Sequence, residues 1–276
     1  MGVEVGIVAK RDTERAQELA ATLLEALSTD EVTVTVDDET GAAIDASSAP
    51  VAAMKTADLV VSIGGDGTFL FVAREAGDAP LVGVNLGEVG FLNAVSPEEA
   101  VDAVTSLVDV LRTTGELETT TVDRITARGD GWELEPALNE VVVHGPRRGH
   151  GGGAEIDVRV DGESYARSHA DGILVATPTG STAYNLSEGG PLVYPAADAL
   201  VVTQMCAEDA MPPLVIDDDS EIELRVAGAE TAWAISDGRN RRALEVPTTV
   251  TVTVADDPVT IAGPRTNFFE ALEKLE

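Results

Sequence analysis

The string Gly64-Gly65-Asp66-Gly67-Thr68 follows an apolar, β-branched run, Leu59–Ile63, and precedes a helical run, Phe69–Glu75. Such a string is a strand-to-helix turn at the carboxyl edge of an open sheet, where ligands of such folds bind. Bare glycines let the backbone approach a ligand closely, and the helix start offers unpaired N–H groups and a positive dipole end to phosphate oxygens. An acid inside an anion site is costly unless it acts. Asp66 is placed to take a proton from an attacking hydroxyl or to help hold a metal-bound phosphate. The plainer alternative is a glycine turn with Asp66 as a helix cap.

The second candidate is Asp171-Gly172-Ile173-Leu174-Val175-Ala176-Thr177-Pro178-Thr179-Gly180-Ser181-Thr182-Ala183-Tyr184. A β-run ends here in a turn crowded with hydroxyls, which opens a short helix through Asn185 and Leu186 to Ser187. Hydroxyls and fresh N–H groups suit a polyhydroxylated ligand such as a ribose, and Tyr184 suits stacking on a flat base. Redundant helix caps are the competing reading. Asn139-Glu140, at the start of a strand, is a weak signal by itself. No Gly-x4-Gly-Lys-Ser/Thr string occurs, which excludes a P-loop kinase, and Gly87–Gly90 is too weak for a dinucleotide fingerprint. No His/carboxylate group has ligand spacing, so no dedicated metal cage is expected.

These residues need elements to hold them. Val3–Ala9, Val32–Val36, Leu59–Ile63 and Leu81–Val84 read as strands, interleaved with a helix marked by Ala16, Leu19, Leu23, Leu24 and Leu27. Ser96-Pro97-Glu98-Glu99 predicts the start of another helix, running to about Leu111. After Gly115 the texture changes to short β-rich runs separated by Gly, Asp and Pro: Thr119–Thr126, Ala137–Val143, Glu155–Val160, Ile173–Ala176, Ile222–Val226, Thr231–Ile235 and Val250–Val254. The fold class is therefore α/β plus all-β. A Rossmann-like doubly wound domain is predicted at 1–115 and a β-sandwich at 116–263, with a C-terminal helix at 264–276 returning to the first domain.

Composition narrows the function classes. The 276 residues carry 49 acidic and 18 basic side chains, a formal charge of −31. Such a surface repels phosphate backbones and anionic headgroups, so neither nucleic acid nor membrane is an expected partner. The acids are dispersed and 44% of residues are hydrophobic, which excludes a disordered acidic tail. Lysine is scarce: only Lys10, Lys55 and Lys274. Dispersed acid with scarce lysine predicts a protein kept soluble in very high salt, where the screening length is roughly 3 Å at 1 M. The single Cys206 excludes an intrachain disulfide and a cysteine zinc site. With no signal-type start and no long apolar run, a cytoplasmic location is expected.

Together, GGDGT at 64–68, Asn139-Glu140 and DGILVATPTGSTAYNLSEGGP at 171–191 resemble the NAD kinase family in order and spacing. GGDGT alone is shared with diacylglycerol and sphingosine kinases and phosphofructokinases; TPTGSTAY is far more specific. The resemblance implies ATP-dependent phosphorylation of the 2′-hydroxyl of the adenosine ribose of NAD, with Mg²⁺ arriving on ATP. It implies Asp66 as general base, and Gly64, Gly65, Gly67 and Thr68 at the phosphates. Asn139, Glu140, Asp171, Thr179, Thr182, Ala183, Tyr184, Asn185, Leu186 and Ser187 would bind NAD. It also implies a homo-oligomer, dimer or tetramer, in which Asp171 serves a neighbouring chain's ligand. His150, His169, Cys206 and Arg239 match ligand-proximal positions loosely; the histidines are more often plain surface or loop residues, and for Cys206 a buried inert thiol is the expectation. Arg147 and Arg148 are placed either to meet phosphates or to form rim salt bridges. Ser236-Asp237-Gly238-Arg239 departs from the family's more usual Asp-Gly-Gln. The acidic composition suggests a member from an extreme halophile. A lipid kinase sharing GGDGT and a non-catalytic NAD(P) sensor are the alternatives. The first predicts an acyl groove and a membrane anchor, the second the loss of Asp66.

Overall fold

The computed structural model describes residues 2–87, 91–147, 149, 152–264 and 266–273. The chain forms two compact units, Met1–Val122 with Pro258–Glu276, and Asp123–Asp257.

The first unit is built on a seven-stranded sheet among the described residues. Its order is Ser48–Ala49, Val32–Asp37, Val3–Ala9, Leu59–Gly64, Leu81–Asn85, Val259–Ala262 and Thr119–Val122. All neighbours are parallel except the last pair. Strands such as Leu59–Gly64 are buried throughout, as expected of a parallel sheet covered on both faces. The helix Glu14–Leu27 buries Ala16, Ala20, Leu23 and Leu27, one stripe at helical spacing. The strand order runs outward in one direction from Val3–Ala9 and in the other from Leu59–Gly64, so the switch point lies between these two. A doubly wound sheet leaves its crevice beyond the carboxyl ends there.

Two sequence expectations need correction. The boundaries fall at 122/123 and 257/258 rather than 115/116 and 263/264, because Thr119–Val122 and Val259–Ala262 pair with each other and extend the first sheet. The helix expected from Pro97 begins at Ala100, since Ser96 Oγ donates to the Glu99 carboxylate (2.7 Å) instead of capping a backbone N–H. At the other end the helix Phe268–Leu272 belongs to the first unit, where Phe268 packs on Phe91 with ring centroids 5.9 Å apart. The final three residues of the expected helix lie outside the described residues.

Among its described residues the second unit has two six-stranded antiparallel sheets. One contains Ala154–Val160, Ile222–Ala227 and Thr248–Val254; the other is centred on Gly172–Ala176 and Glu140–His144. Val141, Val143 and Val175 of the second sheet share one core with Ile156, Leu224 and Val252 of the first, which makes a sandwich. Gly172–Ala176 and Glu140–His144 are nevertheless buried on both faces. Val142, Leu174 and Ala176 point outward and are covered by Val193 and Tyr184, so a folded segment of the candidate site roofs this sheet.

Candidate active site

Each unit carries one part of the predicted constellation. In the first, Gly64 ends its strand at the switch point and Asp66 opens the helix Asp66–Glu75. A Cβ on Gly64 would lie 2.4 Å from Thr68 Oγ1, so packing against Thr68 demands glycine there. Gly65 and Gly67 differ. A Cβ on either meets nothing within 4 Å among the described residues, so no described neighbour requires their bareness. Gly65, at the N-cap, supplies no side-chain cap, and the first amides of the helix remain available to an anion.

Asp66 does not cap this helix; its carboxylate turns to the segment 91–93. Oδ2 accepts the N–H of Phe91 at 3.1 Å, and Oδ1 accepts Asn93 Nδ2 at 3.0 Å and the Leu92 N–H at 3.4 Å. Burial pushes its carboxyl above the usual carboxylate range, and these three donors pull it partway back. A carboxylate with raised proton affinity and a lone pair that no described residue occupies is suited to act as a base.

In the second unit the predicted strings come together. Gly180 packs on the Asn139 peptide, where a Cβ would fall 2.0 Å from the Asn139 carbonyl oxygen. Thr177 donates its N–H to that same oxygen at 2.9 Å and its hydroxyl to Leu138 O at 2.6 Å. Glu140, 7% exposed, accepts the Tyr184 N–H, while its Oε2 is buried without a partner. Burial, then the neighbouring Asp237 carboxylate, pushes its pKa up to about 7, against the Tyr184 N–H.

Asp237 was not among the expected site residues. Its carboxylate takes the N–H groups of Leu138, Asn139 and Glu140 at 2.8, 2.8 and 3.2 Å, and its own N–H returns to Glu140 O at 3.0 Å. It thus fixes the backbone of the Asn139-Glu140 pair. Only the motif around it was visible in the sequence; its partners lie about a hundred residues away, at separations of 97 to 99.

Several expected ligand residues have internal duties. Asn185 is fully buried, with Nδ2 donating to Ser181 O and Pro191 O and Oδ1 accepting from Thr203. Ser181 is equally buried and ties Val193 to the turn. These two side chains brace the turn, which takes 3-10 form at Thr179–Thr182 before the four-residue helix Tyr184–Ser187. Thr182, Ala183 and Leu186 are partly exposed and Ser187 is exposed. The Asp171 carboxylate accepts the Gly149 N–H at 2.9 and 3.0 Å, and His169 Nε2 bonds Gly152 O at 2.7 Å. Both hold the adjacent glycine loop. Cys206 is exposed, not buried as expected, because a left-handed turn (φ 49°) after Ala199–Met205 swings it outward. Arg239 is exposed on the turn after Ser236. Arg148 and His150 lie outside the described residues.

With this geometry in hand, comparison with known proteins is decisive. Family models for the ATP-NAD kinase N-terminal and C-terminal domains match residues 5–111 and 138–262. The NAD kinase of Haloarcula marismortui is 54% identical over 98% of this chain and 99% of its own length. The chain belongs to the NAD kinase family. The NAD kinase of Halobacterium salinarum is 55% identical over 99% of this chain and its own full length. Among solved structures, yeast NADH kinase complexed with NADH matches with a TM-score of 0.86 at 24% identity, covering 99% of this chain and 87% of that one. An NAD kinase from Archaeoglobus fulgidus in complex with ATP matches with 0.79 at 24% identity, covering 99% and 100%. These two likenesses establish the shared fold. The lipid-kinase and sensor alternatives gain no support from these matches, and Asp66, whose loss the sensor predicts, is present.

Proposed function

We propose that this chain transfers the γ-phosphoryl group of ATP to the 2′-hydroxyl of the adenosine ribose of NAD, with Asp66 as general base. One observation carries the assignment of Asp66: a partly buried carboxylate of raised proton affinity, held at the mouth of an uncapped helix beside two glycines that no described neighbour requires to be bare. In the step, Asp66 takes the hydroxyl proton as the ribose oxygen bonds to γ-phosphorus. The bond to the bridging oxygen breaks, and its electron pair leaves with ADP. Gly64, Gly65, Gly67 and Thr68 serve the phosphates. Asn139, Glu140 and the turn at 179–187 serve the dinucleotide.

Magnesium fits this reading as a companion of ATP, whose phosphate charge it neutralises when bound. Among the described residues the one group with metal-ligand spacing is Asp217, Asp218 and Asp219, which includes none of the residues assigned above. A cytoplasmic homo-oligomer completes the proposal, and its adaptation to high salt is supported by the charge of −31 and by the relatives from Haloarcula and Halobacterium.

The direct test incubates the protein with Mg-ATP and NAD in molar KCl and reads NADP with an NADP-specific dehydrogenase. NADP is expected; tight NAD binding without NADP would overturn the kinase reading. Activity is expected to fall in dilute buffer as self-repulsion loosens the fold, and full activity there would contradict the salt adaptation.

The glycines give a sharper expectation. Gly65→Ala and Gly67→Ala should unfold like the parent yet raise the KM for ATP about tenfold or more, because the new methyl occupies the ligand's space. Gly64→Ala should instead lose about 1–3 kcal/mol of stability, since its methyl meets Thr68. Thermal unfolding beside ATP titrations separates the two effects, and equal stability losses at all three positions would remove the argument for an ATP contact.

A further inference from the structure

The segment from Phe91 to Val95 in the first unit does more than continue the chain. Asn93 is 4% exposed, and its Oδ1 is buried without a partner. A carboxylate offers only acceptors, so the amide must turn Nδ2 toward Asp66 and leave Oδ1 facing protein. A buried unpaired acceptor is unfavourable, and a smaller or apolar side chain would avoid it. The backbone is arranged around this amide. A Cβ on Gly83 would lie 2.3 Å from Asn93 Oδ1, so that glycine makes room for it. Val95 is tied to the neighbouring strand by Asn85 N–H to Val95 O (2.9 Å) and Val95 N–H to Gly83 O (3.1 Å). Phe91 is held by Phe268. The three residues facing Asp66 are thus anchored on both sides.

We propose that Asn93 is a positioning residue for phosphoryl transfer, its amide fixing Asp66 so that one lone pair on Oδ2 is presented to the ribose hydroxyl. This rests on the assignment of Asp66 as base. An ionised carboxylate has roughly four lone-pair sites. Asn93 and Leu92 engage Oδ1, and Phe91 engages one site on Oδ2. The Leu92 contact at 3.4 Å is long, so Asn93 is the main anchor of Oδ1 and keeps the carboxylate from rotating. The free site on Oδ2 receives the proton as the ribose oxygen bonds to γ-phosphorus and ADP leaves with the electron pair. Asn93 also favours the ionised carboxylate, alongside the two peptide N–H groups and against burial; no neighbouring charge of the described chain is among the causes acting on Asp66.

The test compares the parent enzyme with Asn93→Leu and Asn93→Asp in NADP formation across pH. Asn93→Leu should lower kcat about tenfold, with KM for ATP and NAD within about twofold, and move the acidic limb of kcat/KM upward by about half to one pH unit. Asn93→Asp should move that limb further, because two carboxylates at this distance cannot both ionise readily. In ¹⁵N-asparagine-labelled parent enzyme, the Asn93 side-chain amide should titrate with the midpoint of that limb, a readout that survives if either variant misfolds. An unmoved limb in a folded Asn93→Leu variant, or an amide resonance flat through the limb, overturns the positioning role. A parent enzyme that makes no NADP overturns the kinase reading beneath it instead.

Discussion

Replacing Asp66 by Asn is expected to lower turnover by roughly 10²–10⁴-fold, the usual range for losing a general base, while the fold persists. The substitution keeps size and shape, and the amide oxygen can still accept the Phe91 or Leu92 N–H. Stability should not suffer at neutral pH. Because the folded carboxyl binds its proton more tightly than the unfolded one, the parent loses stability as pH rises above the ordinary range. The Asn variant carries no such loss. Single-turnover rates with saturating ATP and NAD, beside melting curves in molar KCl, check both halves. A near-parental rate would leave Asp66 a merely structural residue.

Glu140 should show the opposite balance. Its unfolded carboxyl titrates near the ordinary value of 4.5, and in the folded protein burial and Asp237 push it to about 7. Between these values the native state holds the extra proton, so its stability falls as pH rises through this window. The fall approaches about 3 kcal/mol once the folded carboxyl ionises. Glu140→Gln keeps an acceptor for the Tyr184 N–H and never ionises. It should match the parent at about pH 4.5 and melt several degrees higher at about pH 8, with NAD affinity reduced about tenfold by loss of a charged acceptor. Identical pH dependence of melting in the two proteins would show that Glu140 ionises freely. A stabilising change that weakens substrate binding is what a strained site predicts.

The contrast between Asp66 and Asn93 shows what was legible beforehand. GGDGT is local: its glycines, acid and position between a strand and a helix sit in five consecutive residues, so the turn could be read directly. Asn93 reaches Asp66 across 27 residues and Asp237 reaches Asn139 across 98. No spacing rule connects such pairs; only the sheet order does. Strands divided in the same way. Interior strands such as Gly172–Ala176 are continuous apolar runs, whereas Glu163–Ala170 and Asn240–Glu245 are edge strands with mostly polar sequences that resemble loops. The hydroxyl-rich turn also holds itself together. Asn185, which the resemblance placed at NAD, and its neighbour Ser181 are buried and hold the turn closed, a duty that residue type alone does not reveal.

The measurement that bears most directly on Asp66 as the base is the pH dependence of kcat/KM for NAD in the parent and in Asp66→Asn, under saturating Mg-ATP in molar KCl. The parent should show an acidic limb above the ordinary aspartate range, because burial raises this carboxyl. The residual activity of Asp66→Asn should be flat through that region. A variant that keeps the same limb at the same midpoint would mean that another group takes the ribose proton, and the proposed mechanism would be wrong.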